Sequence, residues 1–205
     1  MFTWLSMAHL PDPPEIFLQR AHALARRTDL PDMVEYLSTP DHRARLVQRR
    51  GATVTSRAQK SRDMGEDWDA WVRENIVDDF IESGLRVSEP VSDTHGAHTD
   101  PLRKWKLYYL IERGGEDATT CFYRETGQPV IRDLDDGSVV CNNMDELEVI
   151  DRVQWPMNQW VLLNTMIIHG VEGIQGYRYN FTVSIKPRNL ADLYLPVKKK
   201  PIKVG

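Results

Sequence analysis

Cysteine is almost missing from this chain: its 205 residues hold two, Cys121 and Cys141. Two cysteines build neither a disulfide framework nor a cysteine-rich zinc site, and both are expected as buried thiols in a reducing compartment. Long apolar runs are missing too. The most apolar window, Trp160 to Val171, contains Asn164, Thr165 and His169, and it falls well short of the roughly 20 apolar residues of a membrane-spanning helix. No basic leader opens the chain, and Pro11, Pro13 and Pro14 cut its first apolar stretch short, which argues against a signal peptide. Internal repeats, heptads and low-complexity tracts are absent. The expectation is a soluble, cytoplasmic protein that makes no membrane contact.

Charge is present, but unevenly placed. The formal net charge is −4, yet residues 1–62 carry a net of +4, residues 63–151 of −14 and residues 152–205 of +6. A uniformly basic nucleic-acid coat is excluded, whereas a local basic surface is not. The N-terminal cluster of Arg43, Arg45, Arg49, Arg50, Arg57, Lys60 and Arg62 reads either as a solvated face or as a substrate-facing lid. Such a lid would meet an acidic partner or nucleic acid.

The first half of the chain reads helical and the second half reads as strands. Pro13-Pro14 ahead of Glu15–Ala25 is a helix start followed by good helix formers. A second helix is expected over residues 41–50 and an exposed loop over 51–65. Trp68, Val72, Ile76 and Phe80 recur every four residues, which predicts an amphipathic helix ending near Gly84. Beyond it come short runs rich in Val, Ile, Tyr, Thr and Trp: Leu85–Val87, Trp105–Ile111, Thr119–Tyr123, Val130–Arg132, Val139–Cys141, Leu147–Val149, Trp160–Asn164 and Tyr177–Ile185. Closely spaced strands of this kind, separated by turns such as Gly114-Gly115 and Thr126-Gly127, predict a sandwich or barrel. The division is a helical annex over 1–83, a β core over 84–187 and a basic tail over 188–205, within one domain.

Three elements of that core could carry chemistry. In His98-Thr99-Asp100 the residues i and i+2 of an extended segment point to one side, so an imidazole and a carboxylate can grip one ion. That pair suits iron(II), manganese or zinc, although a turn with Asp100 accepting backbone N–H bonds explains it equally. His169 follows the apolar run Trp160–Asn164, placing it at a strand end, either as a core histidine or as a third ligand. Two histidines and one carboxylate on one face leave three coordination positions open, as in non-haem iron(II) oxygenases. Arg178 lies in the last strand, where it faces either solvent or an anion that its planar fork can pair with. His95 has the opposite parity to His98 and reads as a loop residue or a neighbour of the site. Arg103, Lys104 and Trp105 are assigned no role.

In order and spacing, the segment from His98 to Ile185 resembles the core of the iron(II)/2-oxoglutarate-dependent dioxygenases, and within them the prolyl 4-hydroxylase-like branch. The matching pieces are His98-Thr-Asp100, Tyr109-Leu-Ile111, Gly114-Gly115-Glu116, Trp160–Asn164 leading to His169, and Arg178-Tyr-Asn180. The resemblance implies a mainly β fold with N-terminal helices: a double-stranded β-helix, the cupin-type jelly roll. It implies Fe(II) on His98, Asp100 and His169, with 2-oxoglutarate held by Arg178 and Tyr109, O2 as oxidant, and ascorbate for full activity. The implied reaction is hydroxylation of a C–H bond with release of succinate and CO2, on a protein, peptide or amino-acid substrate. Ile111 stands in place of the family's usual Asn, and Asn180 in place of a Ser that helps hold the co-substrate. The charges of iron(II), Asp100, 2-oxoglutarate and Arg178 cancel, which a barrel interior can accommodate. Two alternatives stay open: a non-catalytic jelly-roll binding module, and an oxygenase acting on nucleic acid or a small metabolite through the basic N-terminal region.

Overall fold

The computed structural model describes residues 2–27, 59–88, 94–100, 103–127 and 146–194. Among them are strands β1 (Trp4–Ser6), β2 (Gln59–Arg62), β3 (Phe80–Ser88), β4 (Thr94–His98), β5 (Trp105–Arg113), β6 (Thr119–Glu125), β7 (Leu147–Val153), β8 (Trp160–Asn164), β9 (Ile168–Glu172) and β10 (Arg178–Ile185). Two α-helices, α1 (Glu15–Ala25) and α2 (Glu66–Asn75), precede the main run of strands.

The strands form two antiparallel sheets. The larger runs β1-β8-β5-β10-β3-β2, and the smaller runs β4-β9-β6-β7. From β3 onward the chain crosses repeatedly between them: β3, β5, β8 and β10 fall in the larger sheet, β4, β6, β7 and β9 in the smaller. This winding is a double-stranded β-helix, the cupin-type jelly roll, with β1 and β2 added at the edges of the larger sheet.

Side-chain alternation on β10 shows how the layers are specified. Tyr179, Phe181, Val183 and Ile185 pack with Phe17, Ala21, Trp68 and Val72 of the helical layer. Arg178, Asn180, Thr182 and Ser184 point the other way, into the barrel, and are buried as well. Trp68 is the centre of the helical layer: its ring lies 4.3 Å from Phe181, 5.3 Å from Phe17 and 5.4 Å from Trp71. Between the two sheets sits a second cluster of Leu110, Phe122, Trp155, Val161 and Leu163. Ala97, Cys121, Tyr123 and Ile168 form a third, on the opposite face of the small sheet. The Cys121 thiol is buried and free.

Three expectations change. The helix ends at Asn75, and Phe80 and Ile81 open β3; the chain turns between them, where Asp79 pairs with Lys186 and Arg188. The four-residue spacing of Phe80 coincides with an inward position of a strand. Within the expected loop over 51–65, Gln59–Arg62 pair with β3, and Gly84 admits this pairing because a Cβ there would lie 2.8 Å from the Arg62 carbonyl oxygen. Strand β4 carries no apolar run that announces it, and β1 and β9 fall in apolar stretches from which no separate strand is expected. The expected helix over 41–50, the basic residues Arg43–Arg57, the runs Val130–Arg132 and Val139–Cys141 and the basic tail lie outside the described residues. No helix among the described residues is long and apolar enough to cross a membrane.

Candidate metal centre and anion pocket

His98 and His169 are direct partners across the β4–β9 ladder. Opposite residues in an antiparallel pair share a face at close range, and the two rings lie 4.6 Å apart between centroids. Asp100 stands two residues beyond His98 and reaches the same point, its Oδ2 3.9 Å from His98 Nε2. One ligand atom from each of His98, Asp100 and His169 lies within 4.8 Å of the others.

The turn between β8 and β9 fixes this juxtaposition. The Asp100 N–H donates to Thr165 O at 2.9 Å and the Thr165 N–H to Lys104 O at 3.1 Å, while the Thr165 hydroxyl bonds Arg103 O. The segment carrying Asp100 is thereby tied to the turn that delivers His169. His169 Nδ1 lies 2.9 Å from Ile167 O. A carbonyl only accepts, so Nδ1 carries a proton, which in the neutral ring leaves the lone pair on Nε2. The donor set therefore fits a divalent transition metal: two imidazoles and a carboxylate, with one ring already oriented by a backbone acceptor.

Asp100 is not alone with the histidines. Lys106 Nζ donates to its Oδ2 at 2.6 Å and Arg103 Nη2 to its Oδ1 at 3.3 Å. Burial opposes ionisation of Asp100, but the charges of Lys106, His98, Arg103 and His169 overcome it and hold the carboxyl well below the usual range. Lys106 is itself buried, which pulls its ammonium down to about 8 against the attraction of Asp100. Arg103 continues outward to Glu82 Oε1 at 2.9 Å, and Arg86 meets the same oxygen at 2.9 Å.

Arg178 is buried elsewhere in the barrel. It is 4% exposed. Its Nη1 donates to Arg113 O at 3.1 Å and its Nη2 to Thr120 Oγ1 at 3.4 Å. Trp155 lies 5.6 Å from the guanidinium carbon, and Tyr108 packs on Trp155 at 5.1 Å. Among the described residues no carboxylate pairs with Arg178, and burial pushes its guanidinium down to about 10. The Trp155 indole N–H is buried with no hydrogen-bond acceptor among the described residues. A buried cation beside an unspent donor can receive an anion. Gly114, with φ 83°, shapes the floor: a Cβ there would lie 2.7 Å from Arg178 Cβ.

No family model and no curated protein sequence matches the chain. Among solved structures it is similar to the non-heme monooxygenase ThoJ in its nickel complex, at 11% identity over 89% of this chain and 71% of that one, TM-score 0.40. It is similar to an N-substituted L-amino acid dioxygenase from Burkholderia ambifaria AMMD in complex with alpha-KG, at 11% identity over 83% and 78%, TM-score 0.40. A third is HygX from Streptomyces hygroscopicus with nickel, 2-oxoglutarate and hygromycin B bound, at 13% identity over 90% and 82%, TM-score 0.35. These likenesses are confined to the outline of the fold.

Placement of the residues singled out by sequence is mixed. His98, Asp100 and His169 come together, and Arg178 points into the barrel. His169 is the second residue of its own strand, β9, rather than the end of the preceding one. Tyr109 is a correction: it faces the helical layer, packs between Trp160 and Phe181, and donates to Asp12 Oδ1 at 3.3 Å. The tyrosine on the barrel side is Tyr108. Ile111 belongs to the helical-layer core, and the Asn180 amide donates to Phe181 O at 3.3 Å. Arg62 is buried, with Nη2 on Arg27 O at 3.1 Å, and is no part of an open basic face. Pairing between β4 and β9 shifts register between His95 and His98, so simple alternation does not relate those two positions. Lys106, Glu82, Arg86 and Trp155 have no role in the sequence reading, Arg103 is assigned none there, and Tyr108 is there only the neighbour of Tyr109 on the opposite face. A lysine inside a strand next to a His-x-Asp segment was the available signal, since a buried ammonium needs a carboxylate.

Proposed function

We propose that this chain is an iron(II)/2-oxoglutarate-dependent oxygenase, with His98, Asp100 and His169 as the metal ligands and Arg178 as the partner of the co-substrate's far carboxylate. The convergence of the three ligand atoms within 4.8 Å of one another carries this reading. Bound there, iron(II) supplies activation of O2 coupled to decarboxylation of 2-oxoglutarate to succinate and CO2. The protein's part is to bind, orient and shield. Lys106 and Arg103 keep Asp100 ionised and aimed, and Ile167 O fixes the His169 ring. Trp155 lies over Arg178 and Tyr108 packs on Trp155, and the Trp155 N–H and Tyr108 hydroxyl are assigned as further donors in the roles that Tyr109 and Asn180 do not fill. Leu110, Phe122, Val161 and Leu163 line the sheet interface and exclude water.

The reaction proposed is hydroxylation of a C–H bond on an amino-acid or peptidyl substrate, with ascorbate as reductant for full activity. The prolyl 4-hydroxylase-like branch rests on the order of the sequence motifs. The test is a thermal-shift titration with manganese(II) and N-oxalylglycine, an unreactive mimic of 2-oxoglutarate. Wild type is expected to gain roughly 2.7 kcal/mol at a hundredfold excess over Kd, and the His98→Ala/Asp100→Ala double variant to gain nothing. Equal, flat responses from both would reject the reading.

One observation favours a second reading. Lys106 and Arg103 already neutralise Asp100, so the barrel does not need a metal to balance that charge, as in a non-catalytic jelly-roll binding module. This reading expects no succinate when the protein is supplied with iron(II), 2-oxoglutarate and ascorbate.

A further inference from the structure

Three cations, Arg86, Arg103 and Lys106, share two carboxylates, Glu82 and Asp100, in one connected network. If Asp100 serves a metal, as proposed above, its negative charge belongs to the ion. The charges of iron(II), Asp100, 2-oxoglutarate and Arg178 cancel among themselves. Arg86, Arg103 and Lys106 then face Glu82 alone, and among the described residues two positive charges beside the metal centre lack a carboxylate, with the Lys106 and Arg86 side chains only 6% and 13% exposed and Arg103 31%. Uncompensated buried charge is costly, and 2-oxoglutarate has only one carboxylate free of the metal. The barrel thus holds two separate cationic groups, Arg178 and the Arg86–Arg103–Lys106 cluster, and the co-substrate pairs with one.

We propose that the substrate oxidised at this centre is itself an anion, a small molecule whose carboxylate or phosphate group pairs with Arg103 and Arg86. This rests on the metal and co-substrate reading, and narrows it towards free acids rather than internal residues of a protein. Position selects the arginines. The Lys106 side chain is 6% exposed and is spent on Asp100, whereas the Arg103 side chain is 31% exposed and Glu82 36%. Arg103 also touches Asp100, so a group bound to it sits beside the reacting centre. Two guanidinium forks converging on one carboxylate oxygen of Glu82 keep donors to spare, since each guanidinium carries five N–H groups.

The test is calorimetric. Protein saturated with manganese(II) and N-oxalylglycine is titrated with inorganic phosphate and, separately, with acetate. One equivalent of phosphate or of acetate is expected to bind. Phosphate alone assigns a phosphorylated substrate, and acetate alone assigns a carboxylic acid. Arg103→Gln and Arg86→Gln should each weaken that binding at least tenfold, while Arg86→Lys, which keeps the charge, should lose less. Arg86→Lys also separates loss of the pocket from loss of the fold. A complex that takes manganese and N-oxalylglycine but neither anion overturns the proposal and leaves the oxygenase reading standing. So does anion binding that is indifferent to all three substitutions. Failure of manganese and N-oxalylglycine to bind wild type overturns both.

Discussion

Replacing Arg178 by methionine should make the ligand-free protein more stable while destroying its affinity for the co-substrate. Arg178 is buried without a carboxylate among the described residues, and burial pushes its guanidinium down from the ordinary arginine range to about 10. At about 1.4 kcal/mol for each pH unit, the charge costs the folded state on the order of 3 kcal/mol. For a base whose folded value is depressed, that cost is fully present below pH about 10 and fades only as the pH rises above it towards the ordinary arginine range. Methionine keeps much of the length and removes the charge. Against this stand two hydrogen bonds, to Arg113 O and Thr120 Oγ1, worth about 1 kcal/mol each. The net expectation is Arg178→Met about 1 kcal/mol more stable, a few degrees in Tm, with the difference flat from about pH 6 to 9. Binding of N-oxalylglycine to the manganese form should fall by roughly a hundredfold or more, since removing one partner of a buried ion pair costs about 3–5 kcal/mol. Chemical denaturation without ligand and calorimetry with it provide the two readings. A variant less stable than wild type that binds N-oxalylglycine equally well would refute the reasoning, because Arg178 would then be a structural residue.

Tyr108→Phe should weaken N-oxalylglycine binding about tenfold, whereas Tyr109→Phe should leave it unchanged and cost about 1 kcal/mol of stability through its bond to Asp12; calorimetry and denaturant melts read the two effects. Gly114→Ala pushes a methyl group against Arg178 Cβ, so affinity for N-oxalylglycine should drop while manganese(II) affinity, measured by electron paramagnetic resonance, stays at the wild-type value. Trp68→Ala empties the centre of the helical layer and should cost about 3–5 kcal/mol in urea denaturation. Asp67 is held below its ordinary range chiefly by its bidentate hydrogen bonds to Arg20. Its stabilising effect is therefore present above pH 3.8 and lost as pH falls through the depressed value, so Asp67→Asn should melt lower at pH 7 and converge with wild type in strong acid.

How much of this architecture could be read from the residues depends on which face each strand spends. The strand Tyr177–Ile185 was legible because apolar residues alternate with Arg178, Asn180, Thr182 and Ser184, and both sets are buried for different reasons. The strand Thr94–His98 was not, because its residues are small or polar and give no alternation; it is recognisable only by the ligand it delivers. Phe80 was misread for a geometric reason. A residue four positions beyond Ile76 continues a helical stripe and, where the chain turns at Asp79 instead, opens a strand. Asp79 supplies the turn by pairing with Lys186 and Arg188, residues more than a hundred positions away, and no local pattern contains that information.

The metal centre was legible where its geometry is local and illegible where it depends on parity. His98 and Asp100 share a side because they are two residues apart in an extended segment, and this needs no knowledge of the fold. Choosing between Tyr108 and Tyr109 requires carrying a face across the connection from Asp100 to Trp105. Lys106 resolves it, since its bond to Asp100 marks the even-numbered face of β5 as the inner one and puts Tyr108 with it. The charge count shows the same dependence. Glu82, Arg86, Asp100, Arg103 and Lys106 all come from the segment with a net charge of −14, yet the group they form inside the barrel is positive. Among the described residues, Glu66, Asp67 and Glu74 of α2, Asp78 beyond it, and Glu116 and Asp117 in the β5–β6 turn are exposed, where water tolerates either sign. Net charge along a sequence therefore reports the wet faces, and the sign of an interior is decided by the few residues whose strand parity turns them inward.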